Sequence, residues 1–395
     1  MRRMSDAKYI AQNMKVSKIT RYFLYLLVYV VLLAANPVSC STQSENKYCK
    51  ITLKQNVPID EYIKSYDGYI PLETTDKSLV GNISKLLYEN GKLIVVDKEN
   101  NKILVFDAAT GKFLNCVGHQ GRGPKEFISL RDVVVADGKL YVLDMGKILT
   151  YKLSGEFVGE TRYKKGRFTK MDRPRGNKIW LYSELADPCY FNRMDLATGE
   201  IDVRHLPSIE DLYGMSGPAP IFIGEYEGEP LVARPYDNIV YRLSERSLTP
   251  FITFDFDLSG SATQQEIATL TQMKLMDKVS ERKEYLYHIK HIEVKGDEIF
   301  VMPQVLVQGY SNSNPKSGLH LIRHNLKTGE TKIFTREDCP KFEDAKYPFF
   351  FQYNAVISGN KIFCYWSAAS LIENKGFERV KEDDNPYILS FTLNK

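Results

Sequence analysis

The chain has 395 residues, 43% of them hydrophobic, 26% charged and 12% aromatic, which suffices for one large domain or two ordinary ones. This composition is typical of a globular protein and excludes disorder over most of the chain. With 25 Tyr and 20 Phe the sequence favours a β-rich fold, because aromatic side chains suit pleated, half-buried surfaces. The formal net charge is +4.

The N-terminal segment has the parts of a secretory signal. Basic residues between positions 15 and 21 precede the apolar run 22–35, and small residues follow it. We predict that residues 1–40 are a signal peptide or leader, with Met14 the more natural start. A single spanning anchor is the alternative, although a spanning helix needs about 20 residues and this run is shorter.

Cys40 follows Val38 and Ser39 and resembles the lipid-acceptor cysteine of bacterial lipoproteins. This resemblance implies an exported protein that is lipid-anchored in the cell envelope, on the outer-membrane or periplasmic side. Ordinary signal cleavage nearby would instead leave Cys40 as an unmodified residue.

The leader also carries most of the positive charge. Residues 1–39 hold six Lys or Arg and one Asp, a net charge of +5, and subtracting this from +4 leaves −1 for the rest. The mature chain therefore has no basic footprint for nucleic acid, and we expect no such partner.

A repeat follows the leader. The segments 91–114 and 138–158 share the order turn, strand ending in Asp, loop, strand, turn and strand, at an offset of 47 residues. Such a period is typical of propellers and solenoids. Weaker copies begin near Asn177, Gly228, Gly296 and Gly359, and each copy has an inner strand just upstream. Six copies of four strands predict an all-β fold, a six-bladed β-propeller over residues 60–395.

Three segments do not fit the repeat directly. We predict that residues 41–59 are a linker and that residues 60–73 supply the outer strand missing from the last blade, which would close the ring. Residues 261–287 lack strand alternation. A Thr263–Glu266 capping box and an apolar side of Ile267, Leu270, Met273 and Met276 predict a helical insertion between blades four and five.

The glycine-rich stretch GHQGRGPKEF, residues 118–127, tests whether a nucleotide is bound. A phosphate loop leads from a strand into a helix, whose N–H groups face the phosphates. Here the next segment, around residues 131–136, reads as another strand. We therefore predict a turn between blades, with glycines at positive φ, and no nucleotide.

The passage from Gly118 to Phe157 resembles the NHL repeat, with its glycine-rich turn, inner strand, strand ending in Asp and hairpin. Together with the segments YIPLETTDKSLVGNISKLLY and PYDNIVYRL, it is similar to exported six-bladed propeller proteins of Bacteroides-type bacteria. Those are mostly lipoproteins without an assigned activity. The resemblance implies a fold and a location, and it implies no reaction.

Catalytic groupings are weak. His288 and His291 are the nearest thing to a metal pair, but no third ligand is visible, and we expect neither a metal site nor a cofactor. Asp97 and Asp144 end equivalent strands, which favours a structural role as acceptors of turn hydrogen bonds. A hydrolase or lyase with a metal-assisted site in the central funnel is the alternative to a binding protein. A sensor coupled to a spanning helix would need the leader retained.

We therefore predict a binding or scaffold propeller that presents loops to a protein or glycan partner. Turns between blades share a face with the loops between second and third strands, and loops on a rigid scaffold commonly bind ligands. Arginines beside tyrosines suit anionic or sugar-like groups. The predicted binding residues on this face, with the Arg pair at its rim, are Arg122, Arg131, Arg173, Arg175, Arg234, Tyr236, Asp237 and Tyr310.

Overall fold

The computed structural model describes residues 46–53, 63–164, 166–183, 191–205, 221–270, 272–307, 318–334, 355–373 and 380–394. The strands of the first half are β1 (Lys47–Lys50), β2 (Ile63–Pro71), β3 (Lys85–Glu89), β4 (Lys92–Asp97), β5 (Lys102–Asp107), β6 (Phe113–Cys116), β7 (Asp132–Ala136), β8 (Lys139–Asp144), β9 (Lys147–Lys152), β10 (Phe157–Arg162), β11 (Phe168–Met171), β12 (Lys178–Ser183), β13 (Phe191–Asp195) and β14 (Ile201–His205).

The strands of the second half are β15 (Phe222–Tyr226), β16 (Glu229–Val232), β17 (Ile239–Leu243), β18 (Leu248–Asp255), β19 (Glu284–Lys295), β20 (Glu298–Val307), β21 (Gly318–Leu319), β22 (Leu321–Asn325), β23 (Thr331–Phe334), β24 (Ala355–Ser358), β25 (Lys361–Trp366) and β26 (Tyr387–Leu393). The helices are α1 (Gln264–Thr269), α2 (Gln272–Ser280) and α3 (Ala368–Glu373).

These strands form six sheets, numbered along the chain. Sheets 1 to 3 are β3–β6, β7–β10 and β11–β14; sheet 4 is β15–β18 with β1, sheet 5 is β19, β20, β22 and β23 with β21 beside β20, and sheet 6 is β24, β25, β26 and β2. The first strand of each repeat is the inner strand, and inner strands of neighbouring sheets contact one another, as β24 with β3, β3 with β7, β7 with β11 and β15 with β19. The predicted six-bladed β-propeller is confirmed.

The core lies between neighbouring sheets. Ile94 and Val96 of sheet 1 pack with Val133 and Val142 of sheet 2 in one buried cluster. The second strand of sheet 1 is buried at every position from 93 to 96, because both faces of the blade are covered. Its continuous apolar run follows from that double burial, whereas period-two alternation belongs to strands with one solvated face.

Ring closure uses the first long strand. β2 pairs antiparallel with β26, with Ile70 opposite Ile388, and is therefore the outer strand of sheet 6. Asn385, just before β26, secures the segment that follows β2. Its side chain accepts from the Val80 N–H at 2.8 Å and donates to the carbonyls of Glu73 at 2.8 Å and Ser78 at 2.9 Å.

β1 differs from expectation. Residues 47–50, predicted as part of a linker, pair in parallel with β18 and form a fifth strand of sheet 4. Cys49, Ile51 and Leu53 are buried in the core between sheets 4 and 5, whereas Tyr48 and Lys50 are exposed. This alternation of buried and exposed positions was readable in the sequence, but it is too short to predict a strand without its partner.

The segment between β18 and β19 contains α1 and α2. The Thr263 side chain accepts from the Glu266 N–H and the Glu266 carboxylate accepts from the Thr263 N–H, so the predicted capping box is confirmed. The predicted apolar side is only partly right, since Ile267 is buried but Met276 is exposed. β19 begins at Glu284, so residues 284–287 are strand.

Candidate functional site

The six inner strands define two faces. We call the end at which the inner strands begin the front face, and the end at which they finish the back face. Turns that connect one sheet to the next, and turns between second and third strands, lie on the front face. Turns between first and second strands lie on the back face.

The glycine-rich stretch lies on the front face and leads into β7, as predicted for a turn between blades. Only Gly118 among its glycines has a positive φ, at 64°. Gly121 and Gly123 instead lie against Glu126, whose carboxylate accepts from the Gly123 N–H at 2.7 Å. A side chain at Gly121 would collide with that carboxylate, so close approach explains these two glycines better than backbone conformation.

Asp97 and Asp144 are structural acceptors, as predicted. The Asp97 carboxylate accepts from the Gly81 N–H at 2.8 Å and the Asn100 N–H at 3.1 Å, and Asp144 accepts from the Ser129 N–H at 2.8 Å. The donors include the segment that enters the same blade, which the sequence argument did not name. Burial raises the pKa of Asp97, but these hydrogen bonds outweigh it and hold the pKa below its ordinary value.

One buried carboxylate, Asp132, lies where sheets 1 to 3 meet on the front face and is influenced by the charges of three lysines. Lys85 Nζ lies 2.8 Å from Asp132 Oδ1, and the Met171 N–H donates to Asp132 Oδ2 at 3.0 Å. The Asp132 side chain is 3% exposed. Burial raises its pKa, but the positive charges of Lys85, Lys98 and Lys170 outweigh burial and lower the pKa below its ordinary value. These four residues are the front cluster.

The front cluster was not predicted from the sequence, although a signal existed. Lys85 and Asp132 occupy the first position of equivalent inner strands in adjacent repeats. Opposite charges at equivalent positions of neighbouring inner strands meet at the central channel, because the inner strands contact one another there.

Two of the predicted binding residues belong to the front face. Arg122 is exposed in the glycine-rich turn. Arg131 is half-buried at the start of β7, its Nη1 donates to the Phe168 carbonyl at 3.2 Å, and its Nε is buried without a hydrogen-bond partner. Exposed apolar side chains accompany them on this face, namely Leu79, Ile128 and Met145.

The structure corrects the predicted exposure of Arg234, Tyr236 and Asp237, because their side chains are largely buried. Tyr236 is 4% exposed and Asp237 is 0% exposed. The Arg234 guanidinium donates through Nε to Asp237 Oδ2 at 2.9 Å, and Gln264 of α1 donates to Asp237 Oδ1 at 3.0 Å. The helices cover this loop, so it joins α1 to sheet 4 and presents no free binding surface.

The predicted placement of Arg173 and Arg175 is also corrected, because both lie on the back face. β11 begins at Phe168, beside Arg131, and ends at Met171, so both arginines belong to the turn between β11 and β12. They were predicted at the rim of the other face. The positive φ of Gly176, at 58°, marks the hairpin turn that leads into β12.

A cavity of about 520 Å³ opens on the back face among the ends of four inner strands. It is lined by the segment after β11 and by residues of β15, β19 and β24. Glu225 of β15 receives the guanidiniums of Arg173 and Arg175, the latter at 3.1 Å, and Arg175 also pairs with Asp172. Burial raises the pKa of Asp172, and its arginine neighbours offset this only in part.

β19 supplies the other charged wall of this cavity. His291 Nε2 lies 3.2 Å from Glu293 Oε1, and Lys295 Nζ lies 3.4 Å from Glu293 Oε2. Lys290 also lines the cavity, and burial lowers its pKa to about 8. His288 is fully buried, so it does not share the cavity wall with His291.

Tyr310 and Cys40 lie outside the described residues. Across the described ranges, His, Cys, Asp and Glu side chains form no group of three or more that could hold a metal ion. No helix in that same part of the chain is long and apolar enough to cross a membrane.

The ring of six sheets defines this chain as a six-bladed β-propeller. It belongs to the family described as "Domain of unknown function (DUF4934)", whose pattern matches residues 48–392. No protein with a curated description matches the sequence.

Solved structures share the fold. One of them is a Bacteroides fragilis protein whose name describes it as exported. It is 17% identical to this chain, with a TM-score of 0.64, and the match covers 88% of this chain and 99% of that one. A DUF4221 family member from Bacteroides vulgatus is 11% identical with a TM-score of 0.52, over 84% of this chain and 98% of the other. At these identities the likeness concerns the fold alone.

Proposed function

We propose that this protein is an exported binding propeller that captures an acidic protein partner on its front face. The observation that carries the proposal is the front cluster, in which Lys85 of sheet 1 pairs with the buried Asp132 of sheet 2 at 2.8 Å, while the charges of Lys98 and Lys170 act on the same carboxylate. Export is supported by the signal-like leader and by the name of the Bacteroides fragilis neighbour.

The charge balance of the front cluster favours an anionic partner. Lys85 pairs with Asp132, and the positive charges of Lys98 and Lys170 act on the same carboxylate. Lys170 pairs through its backbone with Tyr182 in the β11–β12 ladder, and its side chain is half-buried. Exposed Arg122 extends the positive surface outward along the glycine-rich turn. Complementary charge of this kind guides association and orients the partner.

A protein partner fits this face better than a glycan. Leu79 and Ile128 precede the inner strands of sheets 1 and 2, Met145 lies in the turn after β8, and all three side chains are exposed on the front face. Protein interfaces combine an apolar centre with a polar rim, whereas exposed aliphatic side chains offer little to a hydroxyl-rich surface. Capture of a glycan instead is therefore an outcome that the binding experiment can distinguish.

The double variant Lys98→Gln/Lys170→Gln tests the proposal. We expect its affinity for a fluorescent peptide of alternating Glu and Leu to fall about tenfold, equivalent to about 1.4 kcal/mol for two charges. Fluorescence anisotropy measures the affinity, and added salt should weaken the wild-type complex. A peptide with Gln in place of Glu serves as the uncharged probe.

The matched control is Lys112→Gln/Lys139→Gln, which removes two exposed charges from back-face turns. It should bind the acidic peptide as the wild type does. Equal losses in both double variants would indicate a general charge effect, and unchanged binding in Lys98→Gln/Lys170→Gln would exclude the front face. Binding of soluble acidic glycans in place of the peptide would point to the other partner class.

We propose further that the protein is anchored through a lipid on Cys40, as the leader motif suggests. Intact-mass measurement of detergent-extracted protein should show a chain that begins at Cys40 and carries acyl groups. The Cys40→Ala variant should lose the lipid mass and move to the soluble fraction. A product cleaved elsewhere, or a retained Met1 leader, would contradict this anchor.

A further inference from the structure

We propose that the back-face cavity is a second binding site, and that it takes a neutral, hydroxyl-rich ligand such as the end of a saccharide. Its volume of about 520 Å³ lies within the range of about 300–1,000 Å³ that small-molecule sites occupy. The cavity lies on the opposite face from the front cluster, so this inference does not depend on the proposed protein partner.

The charged groups on the sheet 3 side of the cavity are already paired. Glu225 holds Arg173 on one oxygen and Arg175 on the other, and Arg175 also reaches Asp172. Each group therefore keeps a fixed position, with guanidinium N–H donors and carboxylate acceptors side by side. Arg175 Nε is buried without a hydrogen-bond partner.

The opposite wall repeats the pattern. Glu293 accepts from His291 on one oxygen and pairs with Lys295 through the other. The Glu293 carboxylate holds a pKa below its ordinary value, chiefly because of the hydrogen bond from His291. Both walls therefore offer donors and acceptors in close alternation.

The paired charges that line the cavity disfavour the binding of both anionic and cationic ligands. An anion entering the cavity gains the cations but meets the carboxylates of Glu225 and Glu293, and a cation meets the arginines. A hydroxyl group both donates and accepts, so one hydroxyl can accept from a guanidinium while it donates to the neighbouring carboxylate. A ligand with several adjacent hydroxyls satisfies both walls without breaking an ion pair, and charge-assisted hydrogen bonds of this type are strong.

Both signs of charge occur in the lining, so the test includes an acidic sugar and a basic sugar beside the neutral ones. The experiment therefore compares glucose, galactose, mannose, N-acetylglucosamine and their β-linked disaccharides with glucuronic acid and glucosamine. Titration calorimetry on the folded chain measures binding. We expect at least one neutral sugar to bind, and to bind more tightly than both charged sugars.

The Glu225→Gln variant keeps the shape of the cavity but releases both arginines. Neutral sugars should bind it at least about tenfold more weakly, because the fixed acceptor is lost, whereas glucuronic acid should gain affinity. The matched control is Glu156→Gln, which removes the carboxylate of an exposed ion pair with Lys152 far from the cavity. It should leave sugar binding unchanged.

The Ser358→Tyr variant provides a second test that leaves every ion pair in place. Ser358 lines the cavity, so a tyrosine there should occupy the space and abolish binding at an unchanged melting temperature. The proposal is overturned if no neutral sugar binds, if glucuronic acid binds the wild type more tightly than every neutral sugar, or if the folded Ser358→Tyr or Glu225→Gln variant binds neutral sugars like the wild type.

Discussion

Replacing Asn385 with Ala should weaken the ring closure by about 3 kcal/mol. Asn385 is 1% exposed, and its side chain bonds the Val80 N–H and the carbonyls of Glu73 and Ser78. Truncation removes three hydrogen bonds and leaves the buried Val80 N–H and Ser78 carbonyl without the Asn385 amide, while the Glu73 carbonyl keeps its bond from the Ser78 hydroxyl. A net cost of about 1 kcal/mol for each bond gives the total.

The corresponding shift in melting temperature follows from the size of the domain. An unfolding entropy of about 2.1 cal/mol/K per residue over roughly 340 residues gives about 0.7 kcal/mol/K, so about 3 kcal/mol lowers the melting temperature by about 4 °C. Differential scanning calorimetry measures this shift directly. Urea denaturation gives the free energy of unfolding independently.

The control for this variant is Asn82→Ala. Asn82 is exposed in the same region, and its side chain makes one hydrogen bond, to Glu99 at 2.9 Å. We expect a change within about 0.5 kcal/mol, as for most surface substitutions. If Asn385→Ala melts together with Asn82→Ala, the buried hydrogen bonds do not hold the ring closed and the reasoning fails.

Two further predictions concern packing and pH. Gly224→Ala should destabilise the fold by about 1–3 kcal/mol in urea denaturation, because a Cβ there would lie 2.2 Å from the Ile292 carbonyl oxygen, whereas Gly159→Ala, with open space around it, should be near neutral. Equal midpoints for the two variants would contradict the close approach. Glu266 has its pKa lowered to about 2, chiefly by Lys278, so its stabilisation is present above its ordinary pKa near 4.5 and disappears as the pH falls toward 2. The Glu266→Gln variant should therefore have a lower urea midpoint than the wild type at about pH 6 and the same midpoint near pH 2. A difference in midpoint that stays constant with pH would refute the role of the Glu266 charge.

The fold could be predicted from the sequence because each repeat carries its own signal. The turn at Gly91 and the strand ending in Asp97 recur at Gly138 and Asp144, and local patterns of this kind specify strands without reference to distant residues. The Thr263 capping box was equally local.

The candidate sites were less predictable because they depend on distant contacts. The exposure of Asp237 depends on Gln264 of α1, which covers it, and the front cluster depends on inner strands of three sheets meeting at the channel. β1 was missed for a related reason, since its partner β18 lies about 200 residues later in the chain. Arg173 and Arg175 were predicted at the rim of the front face, although the repeat copy that begins near Asn177 already implied a turn directly after them at the other end of the inner strand.

The parallel pairing of β1 with β18 determines how mechanical load would enter the molecule. The chain passes from β1 in sheet 4 through residues 54–62 to β2 in sheet 6, so a pull applied before Lys47 reaches the β1–β18 ladder first. We therefore expect tension from that side to act first on the β1–β18 hydrogen bonds at the outer edge of sheet 4, before it reaches β2 and β26. The β1–β18 pairing would thus protect the β2–β26 pairing, which closes the ring, from force applied at the N-terminal side.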